Sequence, residues 1–332
     1  MPSVLIAPDK FRGTATAQEV AAAVARAARD AGWQVDLAPV ADGGEGLLEA
    51  LGGTVRTALV QGPLGRPVQA EYRLKPRSRV AVVEMARASG LALVGGAENN
   101  DPLRASTTGT GELVAAAIAA GAKRIIVGAG GSATTDGGLG AVTALGRGAR
   151  LSGVAVTVAC DVTTRFLDAA RVFGPQKGAT AAQVELLSRR LDRLAQVYEA
   201  DYGVDVRSLD GSGSAGGLGG GLAAIGAALT PGFDVVADAL ELFDRVAGAD
   251  LVVTGEGFLD EQSFHGKAVG GVVGLAVAAG VAVVVVVGEV VDGLDAVPPG
   301  VTVLSLVDRV GSDRALADTA AAITEVVAPL FA

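Results

Sequence analysis

The chain has 332 residues, past the roughly 250–300 at which a single hydrophobic core stops growing, so two domains are expected. Half of the residues are hydrophobic, 19% are charged and the mean hydropathy is +0.45, which excludes a disordered or fibrous chain. A formal charge of −9 without a Lys/Arg cluster excludes a phosphate-backbone binder, and the single cysteine, Cys160, excludes an intramolecular disulfide framework and a Cys-rich zinc site.

Aromatic residues make up only 4%, so the core is expected from Ala, Val and Leu, as suits parallel strands buried on both faces beneath Ala-rich helices. The opening, Met1 through Asp9, lacks the basic segment and long apolar stretch of a secretory signal, and a soluble cytoplasmic protein is expected. An apolar strand over 3–7 leads into the loop Pro8-Asp9-Lys10-Phe11-Arg12-Gly13. A helix follows, opened by the capping box Thr16-x-x-Glu19 and closed at Gly32. A strand over 33–40, the loop Ala41-Asp42-Gly43-Gly44-Glu45-Gly46 and a short helix ending near Gly52 complete a βαβα unit. Its strands should lie parallel, joined by a right-handed crossover.

The turn-rich Gly62-Pro63-Leu64-Gly65-Arg66-Pro67 opens a region of different texture, with mixed strands over 70–74 and 80–84. Residues 61–249 are read as an inserted α/β domain, and 1–60 with 250–332 as a discontinuous Rossmann-like domain. In its second half a strand over 250–254, a loop Gly255-Glu256-Gly257, a helix over 267–279, strands over 281–287 and 301–307, and a helix over 313–330 repeat the opening grammar. The uncharged stretch 268–288 is long enough to cross a bilayer. Gly280 divides it into a small-residue half and a β-branched half, so helix, turn and strand are expected instead.

Five strands of this domain then end in loops with acids: Asp9, Asp42, Glu256, Glu289 and Asp308. In open parallel sheets the ligand crevice lies outside the carboxyl ends of the strands. The same acids could serve only to cap the following helices, a reading favoured for Glu289 and Asp308 and left open for the others.

The densest chemical signal is Gly128-Ala129-Gly130-Gly131-Ser132-Ala133-Thr134-Thr135-Asp136-Gly137-Gly138, between a strand over 124–127 and an Ala/Leu-rich segment over 139–145. Small residues at a strand-to-helix turn let backbone N–H groups point at an anion, and the hydroxyls and helix end add attraction. The run is not a Walker A loop, and Gly109-Thr110-Gly111 upstream lacks the third glycine of the dinucleotide fingerprint. Tight packing is the plainer explanation. Asp136, however, would repel bound phosphates unless a divalent cation lay between, so loop and acid together point to a magnesium nucleotide. A second glycine-rich run, 211–221, suits a second phosphate loop, a hinge or close helix packing, and the sequence leaves these open.

Only five of the 27 basic residues are Lys. In a chain so biased to Arg, a Lys in a small-residue loop suggests a need for a compact point charge, and Lys10, Lys177 and Lys267 meet that description. His265, the sole histidine, excludes His-clustered metal sites and reads as a hydrogen-bonding loop residue in preference to a general base. Cys160 reads as a small buried hydrophobe, with Asp161 beside it the more interesting group.

Taken in order, Ile6-Ala7-Pro8-Asp9-x-Phe11-x-Gly13, Ala41-Asp42-Gly43-Gly44-Glu45-Gly46, Thr107-x-Gly109-Thr110-Gly111-Glu112-Leu113, Gly130-Gly131-Ser132-Ala133-Thr134-x-Asp136-Gly137-Gly138, Phe173-Gly174-Pro175-Gln176-Lys177-Gly178-Ala179 and Thr254-Gly255-Glu256-Gly257-x-x-Asp260-x-Gln262-Ser263 resemble the bacterial glycerate kinase family. The series spans nearly the whole chain. The resemblance implies ATP- and Mg²⁺-dependent transfer of the γ-phosphoryl group to D-glycerate, at the 2-hydroxyl to give 2-phosphoglycerate. It also implies a flavodoxin-like domain built from both chain ends, a second α/β domain inserted in it, and an active site in the cleft between them. The sequence departs from the family at Arg12, where a lysine is usual, at Thr135 in place of Asn, and at Phe258 in place of Arg. The segment between Gly146 and Val156 is shortened.

Phosphoryl transfer needs a phosphate cradle, metal carboxylates, cations and an acid that orients the attacking hydroxyl. ATP phosphates are expected on Gly130, Gly131, Ser132 and Thr134, with Gly216 and Gly217 as further nucleotide contacts and Lys177 nearby. Mg²⁺ is expected near Asp136 with Glu256 or Asp161, the glycerate carboxylate near Lys10 and Arg12, and the hydroxyl proton on Asp42. Asp9, Gly43, Gly44, Glu45, His265 and Lys267 complete the expected substrate site. A nucleotide-dependent oxidoreductase and a non-enzymatic small-anion sensor are the rival readings, the first weakened by the missing fingerprint glycine. No nucleic-acid or membrane partner is expected.

Overall fold

A computed structural model describes residues 1–146, 151, 153–264, 267–291 and 297–332. The chain forms two compact units, Met1–Asp42 with Phe233–Ala332, and Gly43–Gly232. The strands are β1 (Ser3–Ile6), β2 (Gln34–Leu37), β3 (Thr54–Gln61), β4 (Pro67–Lys75), β5 (Val80–Glu84), β6 (Arg124–Gly128), β7 (Ala155–Cys160), β8 (Ala228–Pro231), β9 (Leu251–Leu259), β10 (Ala282–Val290) and β11 (Val301–Ser305).

The discontinuous unit holds a five-stranded sheet in the order β11-β10-β9-β1-β2 with every pair parallel. Numbered within the unit this is the flavodoxin-like order 2-1-3-4-5, whose switch point falls between β1 and β9. The unit boundaries lie at 42/43 and 232/233, not at the expected 60/61 and 249/250. Two interactions move them. β3 pairs along its whole length with β4 in the other sheet. The helix Leu242–Ala247 is tied to β2, because the Arg245 guanidinium donates to the Asp36 carboxylate (2.8 Å from Nε) and to the Leu37 carbonyl (2.7 Å).

The capping box forms as read: Glu19 N donates to Thr16 Oγ1 and Thr16 N to the Glu19 carboxylate. The helix Ala17–Asp30 that it opens buries Val20, Ala21, Val24 and Ala28, a helical stripe facing the core that also holds Val284, Val286 and Ile323. Trp33 meets Phe331 edge-on at 5.4 Å and donates its indole N–H to the Phe331 carbonyl. The stretch 268–288 is the helix Ala268–Ala279 followed by β10, and no helix among the described residues is long and apolar enough to cross a membrane.

Three local expectations are corrected. β9 continues through Gly255-Glu256-Gly257 instead of ending in a loop, because a side chain at Gly255 would stand 2.0 Å from the Val286 carbonyl and glycine lets β10 close up there. Glu256 and Glu289 therefore sit within strands, and Asp308 on the short helix Leu306–Val310, so only Asp9 and Asp42 follow their strands in loops. The expected last helix is broken into Ser312–Ala317 and Thr319–Val327 by Asp318, whose side chain instead accepts from Ala321 N as a cap.

The Gly43–Gly232 unit holds a six-stranded sheet in the order β3-β4-β5-β6-β7-β8, antiparallel across β3, β4 and β5 and parallel from β5 to β8. Its core gathers Met85, Leu113, Ile125, Phe166 and Tyr198 under the helix Ala181–Tyr202, which a second capping box at Thr180 and Gln183 opens.

Candidate active site

In the discontinuous unit, Asp9 and Glu256 flank the switch point between β1 and β9. Asp9 N donates to the Gly255 carbonyl (2.9 Å) and Thr254 Oγ1 to the Ala7 carbonyl (2.7 Å), which fixes the two strand ends together. Burial pushes the Asp9 carboxyl above its ordinary range; Lys10 opposes this, with its N–H at 2.7 Å and its Nζ at 3.6 Å, and the charge of Asp42 reinforces it. Glu256 is also raised, by burial first, against the pull of Ser263 and Lys267 and with the push of Asp9 and Asp260. Its Oε1 is buried without a hydrogen-bond partner. Lys267 Nζ lies 3.7 Å from Asp260, which Ser263 holds through both its N–H and its hydroxyl.

The structure thus brings together Asp9, Lys10, Asp42, Glu256 and Lys267, all expected site residues, and adds Asp260, whose only sequence signal was its place in the Thr254–Ser263 motif. Arg12 is exposed, its backbone N 3.2 Å from where a Gly257 side chain would stand. His265 lies outside the described residues.

In the other unit, the loop at 43–46 and the start of the long glycine run meet backbone to backbone. A side chain at Gly130 would stand 2.7 Å from Gly44 Cα, and one at Gly128 would stand 2.7 Å from the Gly43 carbonyl. Sequence reasoning missed what anchors this contact. Glu84, only 2% exposed at the end of β5, accepts from Gly46 N (2.9 Å) and Leu48 N (3.1 Å) on Oε1 and from Arg87 Nε (3.0 Å) on Oε2. Changing Glu84 to Gln puts an amide N–H against either the guanidinium or the two backbone donors. A loss of about 2–3 kcal/mol is expected in urea titrations; an unchanged midpoint would remove the anchoring role.

The glycine run is partly turned inward. Leu91 N donates to the Gly131 carbonyl and Ala133 N to the Ser89 carbonyl, and Ser132, Thr134 and Thr135 are buried. Gly130, beside Gly44 and Glu45, and Gly131 stay accessible, while Ser132 and Thr134 are buried. Gly216 and Gly217 pack against the glycine run: a side chain at Gly216 would stand 2.0 Å from the Thr134 carbonyl, one at Gly217 2.7 Å from Gly137 Cα, and both residues are buried. Of the readings left open for this run, close packing holds.

Lys177 is special in the opposite sense to the one expected. It is 3% exposed, its Nζ donates to the Thr134 carbonyl at 2.7 Å, and the Phe173 ring lies 5.8 Å away. It ties the loop down from beneath. Asn100 does the same through its amide, which donates to the Ala133 and Lys177 carbonyls at 2.9 Å each. Burial pushes the ammonium from 10.5 down to about 7, against the attraction of Asp136. Between those values the unfolded chain holds a proton that the folded one lacks, so this residue makes stability rise with pH. Relative to Lys177→Met, wild type should gain roughly 2–3 kcal/mol in urea titrations between about pH 7 and pH 9, and parallel curves would refute the buried ammonium.

Asp136 is likewise reassigned. Its carboxylate accepts from Thr107 N (2.8 Å), Thr107 Oγ1 (2.9 Å), Ser106 Oγ (3.4 Å), Gly138 N (3.1 Å) and Gly140 N (3.2 Å), which engages both oxygens. It braces the turn into the helix Leu139–Ala144. Asp161 is exposed just past β7. Cys160 is buried, its Sγ 3.3 Å from Ser214 Oγ and its thiol pushed up by burial. Among the described residues no three His, Cys, Asp or Glu side chains are grouped to hold a metal by themselves.

A sequence model of the glycerate kinase family matches residues 4–149 and 147–332. The chain belongs to the glycerate kinase family. It is 40% identical to the glycerate kinase of Halalkalibacterium halodurans, over 90% of this chain and 88% of that one. It is also 40% identical to the glycerate 2-kinase of Escherichia coli, over 82% and 81%. The crystal structure described as glycerate kinase 2 from Salmonella typhimurium LT2 superposes with a TM-score of 0.83 at 36% identity, covering all of this chain and 97% of the other.

As a glycerate kinase family enzyme, the chain carries its departures in distinct settings. Thr135 is buried with no partner for its hydroxyl, whereas Phe258 is 53% exposed on β9 opposite Glu289.

Proposed function

We propose that this glycerate kinase family enzyme transfers the γ-phosphoryl group of ATP to the 2-hydroxyl of D-glycerate, giving 2-phosphoglycerate. The observation that carries the reading is the crowding of Asp9, Asp42 and Glu256 with Lys10 and Lys267 at the flavodoxin-like switch point, where open α/β sheets bind ligands. The relative named glycerate 2-kinase supports the choice of hydroxyl.

In this reading Lys10, Arg12 and Lys267 neutralise the glycerate carboxylate, and Asp42 accepts the proton of the attacking hydroxyl. Gly130 and Gly131, beside Gly44 and Glu45, offer backbone N–H groups to the phosphates. Mg²⁺ fits the acids of the switch point: it takes one or two carboxylates and completes its shell with phosphate and water. The partnerless buried Oε1 of Glu256 is such a donor, and the Asp9 carboxylate, across the switch point, is a second. When bound, the ion would neutralise charge on the phosphates. Asp9 and Glu256 replace Asp136 as the metal-holding pair. The single cysteine, buried and free, suits a reducing cytoplasm.

The deciding experiment measures ATP loss against a panel of small hydroxy acids, with the phosphorylated carbon read by ³¹P NMR. Consumption with D-glycerate and a signal from the 2-phosphate is expected. Signal from the 3-phosphate would overturn the regiochemistry, and no glycerate-dependent ATP loss would overturn the reading.

A further inference from the structure

A pocket of about 720 Å³ lies wholly within the Gly43–Gly232 unit, between the helix Ala181–Tyr202 and the segment 102–108. Nothing in the proposed chemistry uses it. Leu187, Leu191 and Leu194 from the long helix and Leu139 from the helix Leu139–Ala144 form an aliphatic wall, and Arg104, Arg189, Arg190 and Arg193 ring the opening. Arg190 donates to the Leu103 carbonyl and Arg193 to the Gln196 side-chain oxygen, both neutral acceptors. None of the four is in an ion pair among the described residues. The one acid in the lining, Asp136, already accepts from five donors, three on Ser106 and Thr107 and two on Gly138 and Gly140.

Four unpaired guanidinium groups around one opening, in a chain of charge −9, select an anion. The leucine wall selects an apolar body of modest size, and the volume is that of a small-molecule site. A guanidinium plane both stacks on an aromatic ring and pairs with phosphate, so one ring of arginines can serve both halves of such a ligand. We propose that this pocket seats a purine nucleotide, its base against the leucine wall and its phosphates on the arginine rim. The proposal rests on the nucleotide-dependent reading above. A nucleotide here would lie against Thr135, Asp136 and Gly140, so its binding acts directly on the braced turn that ends the glycine run.

Calorimetry of the full chain with the non-hydrolysable analogue AMP-PNP tests it. The double variant R189E/R193E and the single variant Leu139→Glu alter exposed positions of the rim and wall, and circular dichroism checks their fold. Each should weaken AMP-PNP binding by roughly tenfold or more. If wild type binds one nucleotide and the variants raise the ATP KM by the same factor, the pocket seats the donor and the phosphate contacts proposed for Gly130 and Gly131 are overturned. If it seats a separate effector, wild type binds two, the variants bind one, and the ATP KM is unchanged. Either result supports the pocket. Variants that bind AMP-PNP as wild type does, in an enzyme that still consumes ATP with glycerate, overturn the pocket alone. A wild type that neither binds the analogue nor consumes ATP overturns the kinase reading and the pocket with it.

Discussion

Replacing Asp42 with Asn lowers kcat by roughly 10²–10⁴-fold and leaves the fold and the glycerate KM near wild type. Asp42 is half-buried in the loop after β2, and its charge reaches Asp9, which places its carboxylate among the acids of the switch point. Asn keeps the shape and can accept a hydrogen bond, but it cannot take a proton from a hydroxyl. Loss confined to kcat is the signature of a group that acts in the transition state and not in ground-state binding. Single-turnover kinetics with ATP and glycerate separates the chemical step from product release. A variant with near-normal turnover would end the assignment of Asp42 as base and pass the role to Asp9 or Glu256.

Gly216→Ala is expected to be the most damaging methyl addition among the described left-handed glycines, at about 4 kcal/mol or more. The backbone there has φ +72°, a left-handed conformation that costs a β-carbon about 1–2 kcal/mol on its own. The larger part is a collision. The new carbon would stand 2.0 Å from the Thr134 carbonyl, whose retreat would strain the 2.7 Å hydrogen bond that it accepts from Lys177 Nζ. Gly13→Ala and Gly226→Ala are the controls, with φ +86° and +109° and nothing within 4 Å of the added carbon. They should show the conformational part alone. Urea midpoints for the three variants separate the two effects, and a Gly216→Ala midpoint equal to the controls would mean that the Thr134 loop yields freely.

Much of this architecture is legible in the sequence, because the signals are local. Thr16 and Glu19 announce a helix start, and the valines from 283 to 287 announce a strand buried on both faces. The acids of the switch point were found because each was read at the carboxyl end of a strand, in a loop for Asp9 and Asp42 and, against expectation, within β9 for Glu256. What the sequence conceals is direction. A glycine that admits a phosphate and a glycine that admits another backbone read alike, and Gly216 proves to be the second kind. Lys177 stands out by composition, yet only tertiary contacts reveal that its ammonium points into the protein beneath the loop. Glu84 closes an apolar strand much as other acids do, and its two loop N–H partners lie about 40 residues earlier. The domain boundaries moved for the same reason, since the tie from Arg245 to Asp36 spans most of the chain.

The position of the inserted unit sets an order of events during synthesis. β1 and β2 emerge from the ribosome before the insert, but β1 lacks its second partner, β9, until residue 251 has been made. The unit from Gly43 to Gly232 is continuous and has its own sheet and core, so its strands are all made while the strands before it wait. Through that interval the apolar strand Ser3-Val4-Leu5-Ile6 has β2 on one side only, and its open edge toward β9 invites pairing with a neighbouring chain. Speed of translation through the insert thus governs how long the newborn protein is exposed to aggregation.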